Sequence, residues 1–153
     1  MLLTKTFTPE IYARALDSWA WLPVRKKVPV LSSLFGDVFM QDSKGYWFLD
    51  SMEGSLNKVA KTRDEVQAIL DSEDGQDRFL LGGLAWAADR SGLTLKSSEI
   101  YVFKIPPVLG GKTVVDNIMV MDFVVWVYMA GQLHDQVRKM KPGTRITGFE
   151  ISE

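Results

Sequence analysis

The run MVMDFVVWVYM, residues 119–129, is apolar at every position except Asp122. It shows neither the period of two of a half-buried strand nor the 3.6 of an amphipathic helix, so it has to be covered on all sides. Its β-branched and aromatic composition points to a central strand with both faces packed, although a buried helix shows the same lack of period. The chain must therefore provide covering layers, and at 153 residues it is long enough to bury such a core within one domain spanning 1–153.

The rest of the sequence divides into short elements. Thr8-Pro9-Glu10 reads as a helix start, with Thr as N-cap and Pro at the first helical position, followed by Tyr12, Leu16 and Trp19 at helical spacing. "LPVRKKVPV" carries two prolines and a basic cluster and reads as a connection. Aromatic and β-branched runs separated by Asp-Ser-Lys-Gly and Glu-Gly-Ser predict a meander of three antiparallel strands near 35–41, 45–50 and 55–59.

Thr62-Arg63-Asp64-Glu65 is a capping box ahead of a short helix to about Leu70. "DSEDGQD" reads as a turn, and "RFLLGGLAWAADR" as a helix ending at Ser91-Gly92, with the Gly82-Gly83 pair inside it compensated by close packing. "EIYVFKI" predicts a strand ended by Pro106-Pro107, which have no N–H to donate. After the apolar run, Ala130, Leu133, Val137 and Met140 predict a last helix stopping at Lys141-Pro142-Gly143, and "TRITGFEI" predicts a final exposed strand. The sum is an α+β domain: a single mixed, largely antiparallel sheet with about four helices packed on it.

Composition excludes several functions. There is no cysteine and only one histidine, His134, so disulfides, thiolate chemistry, Cys-based zinc and His-rich metal sites lack material. Neither a cofactor nor a metal is expected. The net charge of −1 lacks the basic footprint of a dedicated nucleic-acid binder. "MLLTKTFTPEIYARAL" is charged too early for a signal peptide, and the stretch from Phe123 to Gly131 is too short to span a bilayer, so a cytoplasmic protein without a membrane partner is expected. Gly111-Lys112-Thr113 resembles the end of a phosphate-binding loop, but Pro106 occupies the place of the first glycine and a strand-like sequence follows, so the likeness is accidental.

Four carboxylates, Asp37, Asp42, Asp50 and Glu53, fall within the meander, enough in principle for acid–base or cation chemistry but placed where turns need caps. Asp122, inside an apolar run, calls for a structural partner such as an Arg. His134 and Asp135 are adjacent on a helix and cannot face each other, which leaves His134 a structural or surface residue. Of Trp19, Trp21, Trp47, Trp86 and Trp126, only Trp47, beside a turn, is expected to be exposed. Residues 62–90 carry seven acids against three Arg, and the candidate partner-binding face is Asp71, Glu73, Asp74 and Asp77, with Trp47 as an apolar anchor.

The stretches "FGDVFMQDSKGYWFLDSMEGSL", "GQDRFLLGGL", "FKIPPVLGGK", "DNIMVMDFVVWVYMAGQLHDQV" and "KPGTRITGF" together resemble the C-terminal domain family of type VI secretion immunity proteins, often found behind a GAD-like domain. The resemblance runs over roughly 5–150, with "PPVLGG" followed by "DN", and "GQLH", as its most specific pieces. It implies a non-enzymatic bacterial protein that binds and blocks a toxin, a DNase in the best-known members, and it brings no catalytic residue. An inhibitor of a DNA-cutting enzyme can present carboxylates to the basic surface that would otherwise hold phosphates. Two other readings stand beside it: a regulatory scaffold of the Smi/Knr-type superfamily, and a small-ligand binder using the meander carboxylates.

Overall fold

The computed structural model describes residues 1–141 and 143. The elements run β1 (Thr4–Lys5), α1 (Pro9–Leu16), β2 (Val28–Ser33), β3 (Val38–Asp42), β4 (Gly45–Asp50), β5 (Ser55–Ala60), α2 (Arg63–Asp71), α3 (Glu73–Leu80), α4 (Gly82–Arg90), β6 (Glu99–Phe103), β7 (Ile118–Asp122) and α5 (Phe123–Val137), with short 3₁₀ turns between several of them. The class is α+β. The expected single sheet is realised as a five-stranded antiparallel sheet, in the order β1-β2-β3-β4-β5, and a separate antiparallel ribbon of β6 and β7.

The meander appears where punctuation predicts it, with Phe39 opposite Phe48 and Leu49 opposite Leu56. "LPVRKKVPV" is only partly a connection, because its last residues open β2. Pro29 is tolerated in that strand where the register shifts between Pro29 and Leu31, since a bulge relieves the ladder of one donor. Strand alternation divides the core. Val38, Met40 and Leu49 face α1 and α5, with Trp19, Phe123 and Val127. Phe39, Tyr46 and Phe48 face the other way, onto Val66 of α2 and Leu80 of α3. Leu34 and Phe35 join the ribbon residues Tyr101 and Phe103 and the α4 residues Ala85 and Ala88 in a third cluster.

Three expectations are corrected. "DSEDGQD" is not a simple turn: Ser72 ends α2 and caps α3, its Oγ accepting from the Gly75 N–H at 3.0 Å. A Cβ at Gly75 would overlap the carbonyl of Ile69, so glycine permits the corner. Gly82 and Gly83 do not lie inside a continuous helix over residues 78–90 but open α4, because Leu81, at φ +50°, breaks the chain between α3 and α4. A Cβ at Gly82 would stand 3.3 Å from Leu3 Cδ1, whereas one at Gly83 would meet nothing within 4 Å, so Gly83 needs no compensating neighbour.

The apolar run is the third correction. Only residues 118–122 are strand, and helix α5 begins at Phe123. Asp122 decides this: its carboxylate accepts from the Val125 N–H at 3.1 Å and caps the helix, so its partner is a backbone amide and not an Arg. β-branched Val124 and Val125 lower helix propensity only slightly, and burial of Phe123, Val127, Ala130 and Leu133 overrides it. The strand expected over "TRITGFEI" lies outside the described residues.

Candidate protein-binding surface

Helices α2 and α3 present the acidic face. The capping box forms with Thr62 Oγ1 accepting from the Glu65 N–H at 3.2 Å, while the Glu65 carboxylate reaches back to the Lys61 N–H at 2.7 Å. Val66 and Leu80 bury the inner side of the helix pair, which turns Asp71, Glu73, Asp74 and Asp77 to solvent. Glu73 and Asp74 occupy the first turn of α3, where carboxylates suit the helix dipole. Asp71 accepts from the Gln67 side-chain amide at 2.9 Å.

Trp47 is not beside them. It extends from the opposite face of the sheet, toward the α1 and α5 layer, and is partly buried instead of exposed. Its indole N–H donates to Asp42 Oδ1 at 2.9 Å, and the Lys27 ammonium stands 4.2 Å from its ring centre. Lys27 and Asp42 pair at 3.2 Å with their side chains 5% and 15% exposed. The Trp47 hydrogen bond first, and the Lys44 amide and Lys27 after it, hold the Asp42 carboxyl down at about 2. The exposed tryptophan is Trp86 on α4, 40% accessible. Sequence position beside a turn misplaced Trp47 because cross-strand neighbours, not turns, decide burial on a sheet.

The meander carboxylates have separate structural tasks. Asp37 is buried and accepts from the Ser51 N–H at 2.8 Å, Ser51 Oγ at 2.8 Å and Ser33 Oγ at 2.9 Å. Burial, and then the nearby Asp50, push its carboxyl up to about 7. Asp50 itself accepts from the amides of Met52 and Glu53 and closes the β4–β5 turn. Asp42 is committed to Lys27 and Trp47. No group of three metal-ligating side chains comes together among the described residues.

His134 is structural and buried, with Nε2 2.8 Å from the Ser51 carbonyl oxygen. The small cavity beside it, about 10 Å³, has space for roughly one water. The glycine-rich loop is equally accounted for. The Gly110 and Gly111 amides donate to the carbonyls of Pro107 and Pro106, and Asn117 pins the loop through Ile105 and Lys112, so these amides are not free to hold a phosphate.

Among the described residues, open grooves indent the surface beside α1 and along β5. One of about 440 Å³ lies between α1 and β2, floored by Tyr12, Leu16, Val24 and Met40, with Arg25 and Lys27 at its rim. Two adjoining ones, about 370 and 270 Å³, share Lys58, Val59, Arg78 and Phe79 and follow β5 beneath α3. Asp50 and Glu53 line the first of this pair, an open groove and not an enclosed pocket.

Comparison with known proteins bears on this geometry. Residues 66–134 match the family described as T6SS immunity protein Tdi1, C-terminal. The matched segment runs from α2 to the end of the buried part of α5, and takes in the acidic helices, the proline–glycine loop and "GQLH". It leaves the meander outside. The fold is similar to a crystal structure of Atu4351 from Agrobacterium tumefaciens, with a TM-score of 0.59 at 19% sequence identity, over 85% of this chain and 66% of that one. The chain thus spans just under two thirds of that protein's length, and the likeness is one of fold. No curated protein matches this sequence. Among the described residues, no helix is long and apolar enough to cross a membrane.

Proposed function

We propose that the chain is a non-enzymatic, immunity-type binding module, a single domain over 1–153, that neutralises a secreted nuclease-type toxin in the cytoplasm of a bacterial cell. The observation that carries this reading is the match of residues 66–134 to the C-terminal domain of a type VI secretion immunity protein. The disposition of polar groups supports it, since Asp37, Asp42, Asp50 and His134 are each engaged in holding turns or helices together. The acidic helices support the nuclease-type partner: Asp71, Glu73, Asp74 and Asp77 form an exposed anionic edge suited to a cationic, phosphate-binding surface. Trp47, on the opposite sheet face, serves the fold in this reading more than the interface.

The test is affinity capture from a lysate of the source strain, followed by a toxicity-rescue assay on any effector recovered. Relief of toxicity by the chain, with a slower and less salt-dependent association when Asp71, Glu73, Asp74 and Asp77 are neutralised to Asn or Gln, is the expected result. Rescue that survives neutralisation removes the acidic face from the reading; absence of any rescued effector removes the immunity role.

A further inference from the structure

Two aspartates hold the turn that joins β4 to β5. Of its four amides, Ser51 N–H donates to Asp37 Oδ1 at 2.8 Å, Met52 and Glu53 donate to Asp50 Oδ1 at 2.9 and 3.0 Å, and Gly54 donates to the Asp50 carbonyl at 2.9 Å. Among the described residues, Asp50 carries the only charge that bears on Asp37 or on His134. Glu53 is exposed on the turn, and Asp135, next to His134 on α5, pairs with Arg138 and Lys139. Asp37 is therefore a buried acid that faces a second carboxylate and no cation. The Ser51 hydroxyl gives its proton a place. Ser51 Oγ lies 2.8 Å from Asp37 Oδ1 and 3.3 Å from the Phe35 carbonyl oxygen, two acceptors for one hydroxyl hydrogen. When Asp37 is ionised, that hydrogen points to the carboxylate; when Asp37 is protonated on Oδ1, the carboxyl donates to Ser51 Oγ and the hydroxyl hydrogen swings to Phe35, with no heavy atom moved. Ser33 cannot take this part, because its Oγ already accepts from the Phe35 and Asp37 amides and its hydrogen is committed to Asp37 Oδ2.

We propose that Asp37, Asp50 and the Ser51 hydroxyl form a pH-sensitive latch, which keeps the β4–β5 turn closed while Asp37 is protonated and lets it open when both carboxylates are ionised. Two like charges then share one turn, and releasing Ser51–Gly54 admits water to them while the strands on either side stay paired. Burial and the nearby Asp50 push the Asp37 carboxyl up to about 7, so the change falls in the neutral range. Opening frees Glu53 and Ser55, which line the end of the groove along β5, and takes away the Ser51 carbonyl that His134 meets. The state of the latch therefore reaches both the groove and α5. The latch needs no partner, so its test stands apart from the rescue assay.

The test follows the full chain by NMR from about pH 5 to about pH 9. The Asp37 carboxyl carbon and the amides of Ser51–Gly54 should titrate together. Above the midpoint, the hydrogen-exchange protection of those amides, corrected for the intrinsic rate, should fall by about tenfold, while the amides of β4 and α5 keep theirs. His134 titrates below 6.5 because burial lowers its pKa, and its ring carbons report that event separately. Asp37→Asn should keep the turn closed across the range. Asp50→Asn, which retains an acceptor for the Met52 and Glu53 amides but removes the repulsion, should lower the midpoint and shrink the loss of protection. An Asp37 carboxyl that stays ionised throughout, a turn that titrates unchanged in Asp37→Asn, a midpoint unmoved by Asp50→Asn, or protection lost equally in β4 and α5 would each overturn the proposal.

Discussion

His134 Nε2 donates to the carbonyl oxygen of Ser51 across 2.8 Å, and so ties α5 to the turn between β4 and β5. The ring packs so closely on this turn that a Cβ at Gly54 would stand 2.6 Å from Cγ and Nδ1. Burial, opposed by the Ser51 hydrogen bond and the charge of Asp50, lowers the pKa of the imidazole from 6.5. The unfolded chain then binds the proton more readily than the folded one, so this contribution is complete above about pH 6.5 and is lost as pH falls toward the folded value. His134→Ala should cost about 1–3 kcal/mol at neutral pH by orphaning the Ser51 carbonyl, with a further loss from the cavity. The cost should shrink on acidification, as thermal melts between pH 5 and 8 would show.

Asp37 tilts stability the other way. Its carboxyl is raised from 3.8 to about 7 by burial and by Asp50, so the folded state holds a proton that the unfolded chain has released. That stability is full below about pH 4 and is lost as pH rises through about 7. Asp37→Asn keeps an acceptor for the Ser51 N–H and Oγ and offers a donor to Ser33 Oγ. Its advantage over the parent should grow between pH 5 and pH 8 by about 1 kcal/mol or more, read as a relative rise of a few degrees in Tm. Asp37→Ala strands three donors and should destabilise by about 2–4 kcal/mol at either pH.

Much of this architecture is legible in the sequence, and the misses share a cause. Thr8, Thr62, Ser91-Gly92 and the prolines at 106 and 107 act locally, through their own backbones, and their elements appear where these residues put them. Residues 119–129 have no period to read, so the boundary between strand and helix rests on one carboxylate, Asp122, whose capping role looks the same in a sequence as an unpaired charge. β2 is hidden because Pro29 signals a connection unless the bulge beside it is known. The acidic face could be read from charge density alone, whereas the distance between it and Trp47 depends on which side of the sheet each alternating residue takes, and that needs the register.

Gly131 lets the α1 end of the chain approach α5. An added Cβ there would overlap Ser18 Oγ and stand 2.8 Å from Trp19 Cδ1, next to the point where the Trp19 and Trp21 indoles donate to the carbonyls of Val127 and Gly131. Gly131→Ala should therefore destabilise by about 1–3 kcal/mol despite its better helix propensity. Among the described residues Ser18 Oγ is buried without a hydrogen-bond partner, so Ser18→Ala should be neutral or stabilising by up to about 1 kcal/mol. Combined with Gly131→Ala, Ser18→Gly should recover part of the loss, and a double-mutant cycle by urea denaturation would measure that coupling.

The N-cap of α5 offers a more local measurement. Asp122→Ala removes the acceptor for the Val125 amide and should cost about 1 kcal/mol, whereas Asp122→Asn, itself a good cap, should cost only a few tenths. Equal losses from the two variants would mean that the charge of Asp122 matters for something other than capping. Chemical denaturation of the three proteins at one pH separates these cases.

Asn117 is the residue on which the proline–glycine loop depends. Its side-chain oxygen accepts from the Ile105 N–H at 3.0 Å, and its Nδ2 donates to the carbonyls of Ile105 at 2.9 Å and Lys112 at 2.8 Å, so one amide stands in for a strand partner after Pro106 has ended the ladder. Gly111 completes the arrangement, because a Cβ there would overlap the Ile105 carbonyl. Asn117→Asp keeps the acceptor but puts a charge against two carbonyl oxygens, and Asn117→Ala removes all three bonds. Both should raise amide exchange at 105–112 by about tenfold or more, while the exchange of β4 and α5 changes little, because the loop carries none of the buried core. Protection lost equally across β4 and α5 would show that the loop is instead part of the global folding unit.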